Sequence, residues 1–275
     1  MRILIIIFIG ITIISCGSDK STEKGQNTSQ VNETAKLGKV CALVFCDLTS
    51  SIDSNLIKVV AIEANNLIKK FPQGSKVEAY PVDDNTYSNP IFSCEIPTQE
   101  SNLDIDKMKF KERLKELSSK FAYAIYNKYK QVNSTKSTQQ ASCIIGTLET
   151  AYNYFKDKNG YRYELIYFSD MIEQCSNSQA GSIYICGDKY IPNKSKIIKQ
   201  IDEKYKPNFN LKSLIGNNVS MVITTSLIGD TKCLRSDEQR EVWSKIFNKV
   251  GYTDEDFKTF HFRQGLPDRL VDIKN

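Results

Sequence analysis

The sequence predicts a doubly wound α/β domain: a mostly parallel sheet with helices on both faces and one antiparallel edge strand. Three observations carry this expectation. Short, nearly continuous apolar runs at 40–46 and 163–168 have the pattern of strands covered on both faces. Stretches with apolar residues at helical spacing separate such runs. Strand and helix then alternate through the body of the chain, which suits a parallel sheet with crossover helices on each side.

The first strand is read from Val40 to Cys46. Leu56, Val59, Val60, Ala64, Leu67, Ile68 and Phe71 follow at helical spacing, and Pro72-Gln73-Gly74 stops that helix. Val77–Val82 reads as a second strand with Pro81 near its end, and Ile91–Ile96 as the edge strand. A long amphipathic helix carries Phe110, Leu114, Leu117, Phe121, Ile125 and Tyr129 on one stripe. Residues 132–141 are a polar loop. Ile144, Leu148, Ala151, Tyr152 and Phe155 mark the next helix, which ends at Asn159-Gly160. Tyr163–Phe168 is a further buried strand, followed by a long loop at about 171–192 and a short helix near 194–205. Val219–Thr224 is the next strand, and Val242, Trp243, Ile246, Phe247 and Val250 form a helical stripe. Phe257–Phe262 is expected to be the last strand.

Composition narrows the function classes. The chain has 275 residues, 40% of them hydrophobic and 25% charged, which excludes a disordered, collagen-like or many-span membrane protein. A formal charge of +5, with Lys interleaved among acids, argues against a nucleic-acid binder. The Lys-rich stretch Lys107–Lys120 reads as the solvated face of a helix, and the abundant Tyr as core edges with hydroxyls at the surface. The single His, His261, rules out HExxH and Cys2His2 sites.

Residues 1–15 read as a lipoprotein signal peptide: one Arg, an apolar run from Ile3 to Ile14, then Ser15. Ile13-Ile14-Ser15-Cys16 resembles a bacterial lipobox, which implies cleavage before Cys16 and lipidation of that Cys, with acyl chains such as palmitate as the membrane anchor. Residues 16–37 are the lipidated Cys and a flexible polar tether, and 38–275 the folded domain. The expected location is the bacterial cell envelope, on the periplasmic face or the cell surface. Of eight cysteines, seven remain besides Cys16, so pairing in an oxidising compartment leaves at least one thiol. Cys175 and Cys186 bracket a polar loop and are the first candidate disulfide; Cys94 with Cys143 or Cys233 is a weaker guess.

The chemistry sits where strands end. The first strand runs into Asp47-Leu48-Thr49-Ser50-Ser51, the strand 163–168 into Ser169-Asp170, and Ser142 precedes a helix. Ligands of open α/β sheets bind beyond the carboxyl ends of the strands. Carboxylates and hydroxyls are hard oxygen donors, suited to Mg²⁺ or Mn²⁺, with Ca²⁺ as a lesser candidate. Neutral hydroxyls leave such an ion under-compensated, so a vacant position on it attracts a carboxylate from a partner.

These residues resemble a known pattern. Asp47-x-Thr49-x-Ser51 is similar to the DxSxS motif of von Willebrand factor type A domains, which opens their metal-ion-dependent adhesion site. Ser142-Cys-Ile-Ile-Gly-Thr-Leu148 resembles the second loop of that site with Ser in place of Thr, and Leu165-Ile-Tyr-Phe-Ser-Asp170 the third, with Met171 where Gly is frequent. The resemblance covers roughly 38–263. It implies that Thr49, Ser51 and Ser142 ligate a metal ion through hydroxyls, and that Asp47 and Asp170 bind it directly or through water. The alternative is that Asp47, Thr49 and Ser51 form a turn capping the helix near Asp53 and that Ser142 is only an N-cap.

Other chemistries fit less well. A dehalogenase-like phosphatase needs a second acid where Thr49 stands. No P-loop, GxGxxG or GxSxG occurs, and His261 lies in a strand-like Phe260-His-Phe262 run. The sequence therefore points to a lipid-anchored, non-catalytic protein that binds an acidic side chain of a protein ligand through a divalent ion. The rivals are an envelope metal-dependent hydrolase and a scaffold with a degenerate metal site.

Overall fold

All eight residues of the first strand are buried, and their alternation builds both halves of the core. A computed structural model describes residues 38–48, 54–82, 89–134, 142–171, 173, 175, 183, 191–223 and 234–264. The signal peptide, Cys16 with the tether, Thr49, Ser51 and Cys186 lie outside the described residues.

The elements run in the order β1 (Val40–Asp47), α1 (Ser54–Ile68), β2 (Lys76–Val82), β3 (Phe92–Glu95), α2 (Asp104–Ser134), α3 (Ile144–Phe155), β4 (Arg162–Ser169), α4 (Lys194–Lys204), α5 (Leu211–Ile215), β5 (Val219–Ile223), α6 (Ser236–Lys249), α7 (Asp254–Thr259) and β6 (His261–Gln264). The strands form one sheet in the order β3-β2-β1-β4-β5-β6. All neighbouring pairs are parallel except β2 with β3, so β3 is the antiparallel edge strand the sequence predicts. The fold class is thus the expected one. The order reverses between β1 and β4, which makes the carboxyl ends of those two strands the topological switch point.

Period-two alternation sends Val40, Ala42, Val44 and Cys46 to one face, against Ile57, Val60, Ala64 and Ile68 of α1 and Phe121 and Ile125 of α2. Cys41, Leu43 and Phe45 face the other way, toward Ile144 and Leu148 of α3 and Trp243, Ile246 and Phe247 of α6. α2 keeps only a narrow buried stripe, as its Lys-rich sequence requires. α1 stops because Pro72 to Gly74 cannot continue it, and Gly74 takes a φ of 72° that suits glycine.

Two expectations need correction. The stretch 257–262 is not one strand: α7 occupies Asp254–Thr259 and β6 begins at His261. The reason is a capping box: the Thr253 hydroxyl accepts from the Asp256 N–H, and the Asp256 carboxylate accepts from the Thr253 N–H. α5 was also absent from the sequence reading; Asn210 caps it by accepting from the Ser213 N–H. His261 is a strand residue, opposite Ser220.

Phe247 anchors this end of the domain. Its ring lies 5.6 Å from that of Tyr252, 5.7 Å from Phe257 and 5.1 Å from Phe260, centroid to centroid. Phe247→Ala is expected to cost about 3–5 kcal/mol, read as a lower urea midpoint at unchanged slope.

Candidate functional site at the β1–β4 switch point

β1 and β4 run parallel with Cys46 opposite Phe168, so the next residues along, Asp47 and Ser169, end their strands together. Asp47 is fully buried. Its Oδ2 accepts two hydroxyl hydrogen bonds, from Ser142 Oγ at 3.1 Å and from Ser169 Oγ at 3.1 Å. Three chain segments 95 and 122 residues apart in sequence therefore meet at one carboxylate oxygen. Asp170 follows directly and is 4% exposed. Of the predicted site residues the structure brings Asp47, Ser142 and Asp170 to one sheet edge; Thr49 and Ser51 lie outside the described residues.

Ser142 is not the helix cap that the alternative reading required. Cys143 occupies the N-cap of α3 and makes no side-chain cap bond. A remote acid takes that role: Oε2 of Glu173 accepts from the Ile145 N–H at 3.0 Å, so a carboxyl oxygen satisfies an N–H of the first helical turn. Glu173 is fully buried, and its Oε1 has no hydrogen-bond partner. Burial pushes its carboxyl up to about 8 against the pull of the Ile145, Ile144 and Cys175 N–H groups, and the Asp47 charge adds to the rise. Sequence reasoning missed Glu173. The sole hint was a Cys, a poor capping residue, at the start of a helix.

The candidate disulfide is corrected as well. Cys175 is bonded to Cys143, with Cα atoms 4.7 Å apart, so it is not available to Cys186; nor is Cys143 available to Cys94. The loop after β4 folds back onto the start of α3, whereas the sequence reading closed it on itself. Among the described residues, Cys41, Cys46 and Cys94 are outside any disulfide. Burial, with the Asp47 charge beside it, raises the Cys46 thiol far above its usual range, so it stays protonated.

Met171 shows how this loop is shaped. Its φ of 61° is left-handed, a conformation that glycine adopts freely and a residue with a Cβ rarely does. Its N–H donates to Ser169 Oγ at 2.9 Å, and its carbonyl accepts from the Trp243 indole N–H at 2.9 Å. Its side chain is buried, so packing and two hydrogen bonds offset a backbone cost of about 1–2 kcal/mol. Trp243→Phe is expected to lose about 1–3 kcal/mol, because it leaves the buried Met171 carbonyl unpaired. Thermal unfolding of the variant checks this. On the other flank, the hydroxyls of Thr147 and Tyr167 lie 2.8 Å apart and pin α3 to β4.

Among the described residues no group of three or more His, Cys, Asp or Glu side chains has the spacing of a metal cluster. A cation here would have to draw on hydroxyl oxygens as well as carboxylates. The donor set fits that requirement: Asp47, Ser142 and Asp170 offer hard oxygens alone, with the Ser142 hydroxyl already seated on Asp47 Oδ2.

No family model and no curated protein matches the sequence. Among solved structures the chain is similar to an aerotolerance-related membrane protein from Bacteroides fragilis NCTC 9343 with multiple mutations to serines. The identity is 9%, over 85% of this chain and 92% of that one, with a TM-score of 0.35. It is also similar to the conserved hypothetical protein BatB from Bacteroides thetaiotaomicron, at 11% identity over 82% and 90% with a TM-score of 0.34. A von Willebrand factor type A protein from Catenulispora acidiphila follows at 12% identity, 76% and 42% coverage and a TM-score of 0.34. Likenesses this distant decide neither family nor function. Among the described residues no helix is long and apolar enough to cross a membrane.

Proposed function

We propose that this chain is a lipid-anchored protein of the bacterial envelope whose α/β domain binds a protein partner through a divalent cation, without catalysis. One observation carries the reading: two serine hydroxyls, one from the loop before α3 and one from the end of β4, converge on Asp47 Oδ2 at the topological switch point, with Asp170 next in sequence. The residues that would hold Mg²⁺ or Mn²⁺ are Asp47, Ser142 and Asp170, joined by Thr49 and Ser51 from the DxTxS motif. Ser169 positions Asp47 and Met171 by donating to the Asp47 carboxylate and accepting from the Met171 N–H. A bound ion supplies a Lewis-acidic position that accepts a carboxylate from the partner. The chain's own part is to fix the oxygens, to keep the Asp47 carboxylate dry, and to keep the neighbouring Cys46 thiol protonated.

Anchoring through Cys16 rests on Ile13-Ile14-Ser15-Cys16, and the tether 16–37 gives the domain reach from the membrane surface. The test is a calorimetric titration of the soluble domain with MgCl₂ and with MnCl₂, followed by capture of envelope proteins with and without chelator. Saturable uptake of one ion and chelator-sensitive capture are expected. No heat with either ion, or capture indifferent to chelator, would remove the proposal in favour of direct loop binding.

A further inference from the structure

The oxygen set is held by groups that take no part in it. Ser142 lies next to Cys143, and Asp170 five residues before Cys175; the Cys143–Cys175 bond therefore joins the two loops that carry them. The bond spans a sequence separation of 32, across the whole of α3 and β4. Beside it, Glu173 reaches from the Asp170 loop to the Ile145 N–H in the first turn of α3, the helix that Ser142 leads into, a second tie between the same two segments. Both half-cystines and Glu173 are buried. Met171, between Asp170 and Glu173, is fixed by Trp243.

We propose that the Cys143–Cys175 bond and Glu173 are positioning groups for the cation site, holding Ser142 and Asp170 in register with Asp47 before any ion arrives. The inference rests on the cation reading above and goes beyond it by assigning affinity to three residues that donate nothing to the ion. A site assembled in advance loses little ordering entropy on binding; a site whose two loops are untied must be ordered by the ion itself. Glu173 acts through its acceptor oxygen on the Ile145 N–H, so an uncharged acceptor of the same shape should replace it.

Four forms of the domain test this: wild type, the double variant Cys143→Ala/Cys175→Ala, Glu173→Ala and Glu173→Gln. Two readouts are taken on each, Mg²⁺ affinity by calorimetry and amide hydrogen exchange in metal-free buffer. In the double variant and in Glu173→Ala, the Ile145 and Met171 amides are expected to exchange at least tenfold faster, with β1 and β5 amides unchanged and Mg²⁺ affinity at least tenfold weaker. Glu173→Gln is expected to restore both to within about threefold of wild type. Wild-type affinity in the double variant, or wild-type exchange at Ile145 in Glu173→Ala, overturns the inference. Exchange accelerated everywhere also overturns it, since the groups would then be general supports. A wild-type domain that takes up no ion sinks the cation reading, a result distinct from variants that bind as well as wild type.

Discussion

Asp47→Ala is expected to abolish cation uptake and to lower stability by about 2–6 kcal/mol. The side chain is fully buried, and its Oδ2 receives the hydroxyls of Ser142 and Ser169. Truncation takes away the acceptor of both hydroxyl protons, and each buried donor left unmet costs about 1–3 kcal/mol. Loss of binding in this variant alone would therefore say little about the ion. Asp47→Asn separates the two effects. It keeps one carbonyl oxygen to accept the hydroxyls but removes the charge that a divalent ion needs. It should retain most of the stability and lose most of the affinity, as read by urea unfolding and calorimetry on the same samples. Asn binding Mg²⁺ as tightly as Asp would remove the ion from the account of this site. Ala with undiminished stability would show that the two serines find other partners.

Stability should fall as pH rises from about 5 to 8, and Glu173→Gln should remove most of that slope. The Glu173 carboxyl is raised from 4.5 to about 8 chiefly by burial. Below 4.5 both folded and unfolded chains hold the proton, and the group contributes no penalty. Between 4.5 and about 8 the unfolded chain has released it while the folded chain retains it, so the folded state binds more protons and loses stability with rising pH. Above about 8 the penalty is complete. At full burial it is on the order of a few kcal/mol. Gln carries no proton to lose and still offers an oxygen to the Ile145 N–H. The variant should match wild type near pH 4.5 and melt at a higher temperature near pH 8. Melting curves in chelator across this range check it; parallel pH profiles for the two proteins would show that Glu173 ionises as freely folded as unfolded.

Much of the fold was legible because local rules and the global architecture agree. Val40–Cys46 reads as a doubly covered strand, and all of it is buried. Helical stripes at 56–71, 144–155 and 242–250 became the helices that cover the sheet. Misreadings arose where a short polar signal competed with an apolar run. Phe257–Phe262 is rich in Phe and reads as a strand, yet the Thr253–Asp256 capping box starts a helix at Asp254, and Phe257 and Phe260 are buried against Phe247 from that helix and its end.

The sequence by itself determined the residue types at the strand ends: Asp47, Ser142 and Ser169-Asp170 each stand at the close of an apolar run or the opening of a helix, because hydrophobic periodicity marks where elements stop. Only the tertiary structure decided which of them touch. That Ser142 donates to Asp47 and leaves its helix to be capped by Glu173 depends on segments 95 and 28 residues apart. That Cys175 joins Cys143 depends on β4 returning the chain to the start of α3. Spacing along a chain fixes which face of an element a residue occupies; partners across elements are chosen by how the sheet is wound, and no local pattern records that.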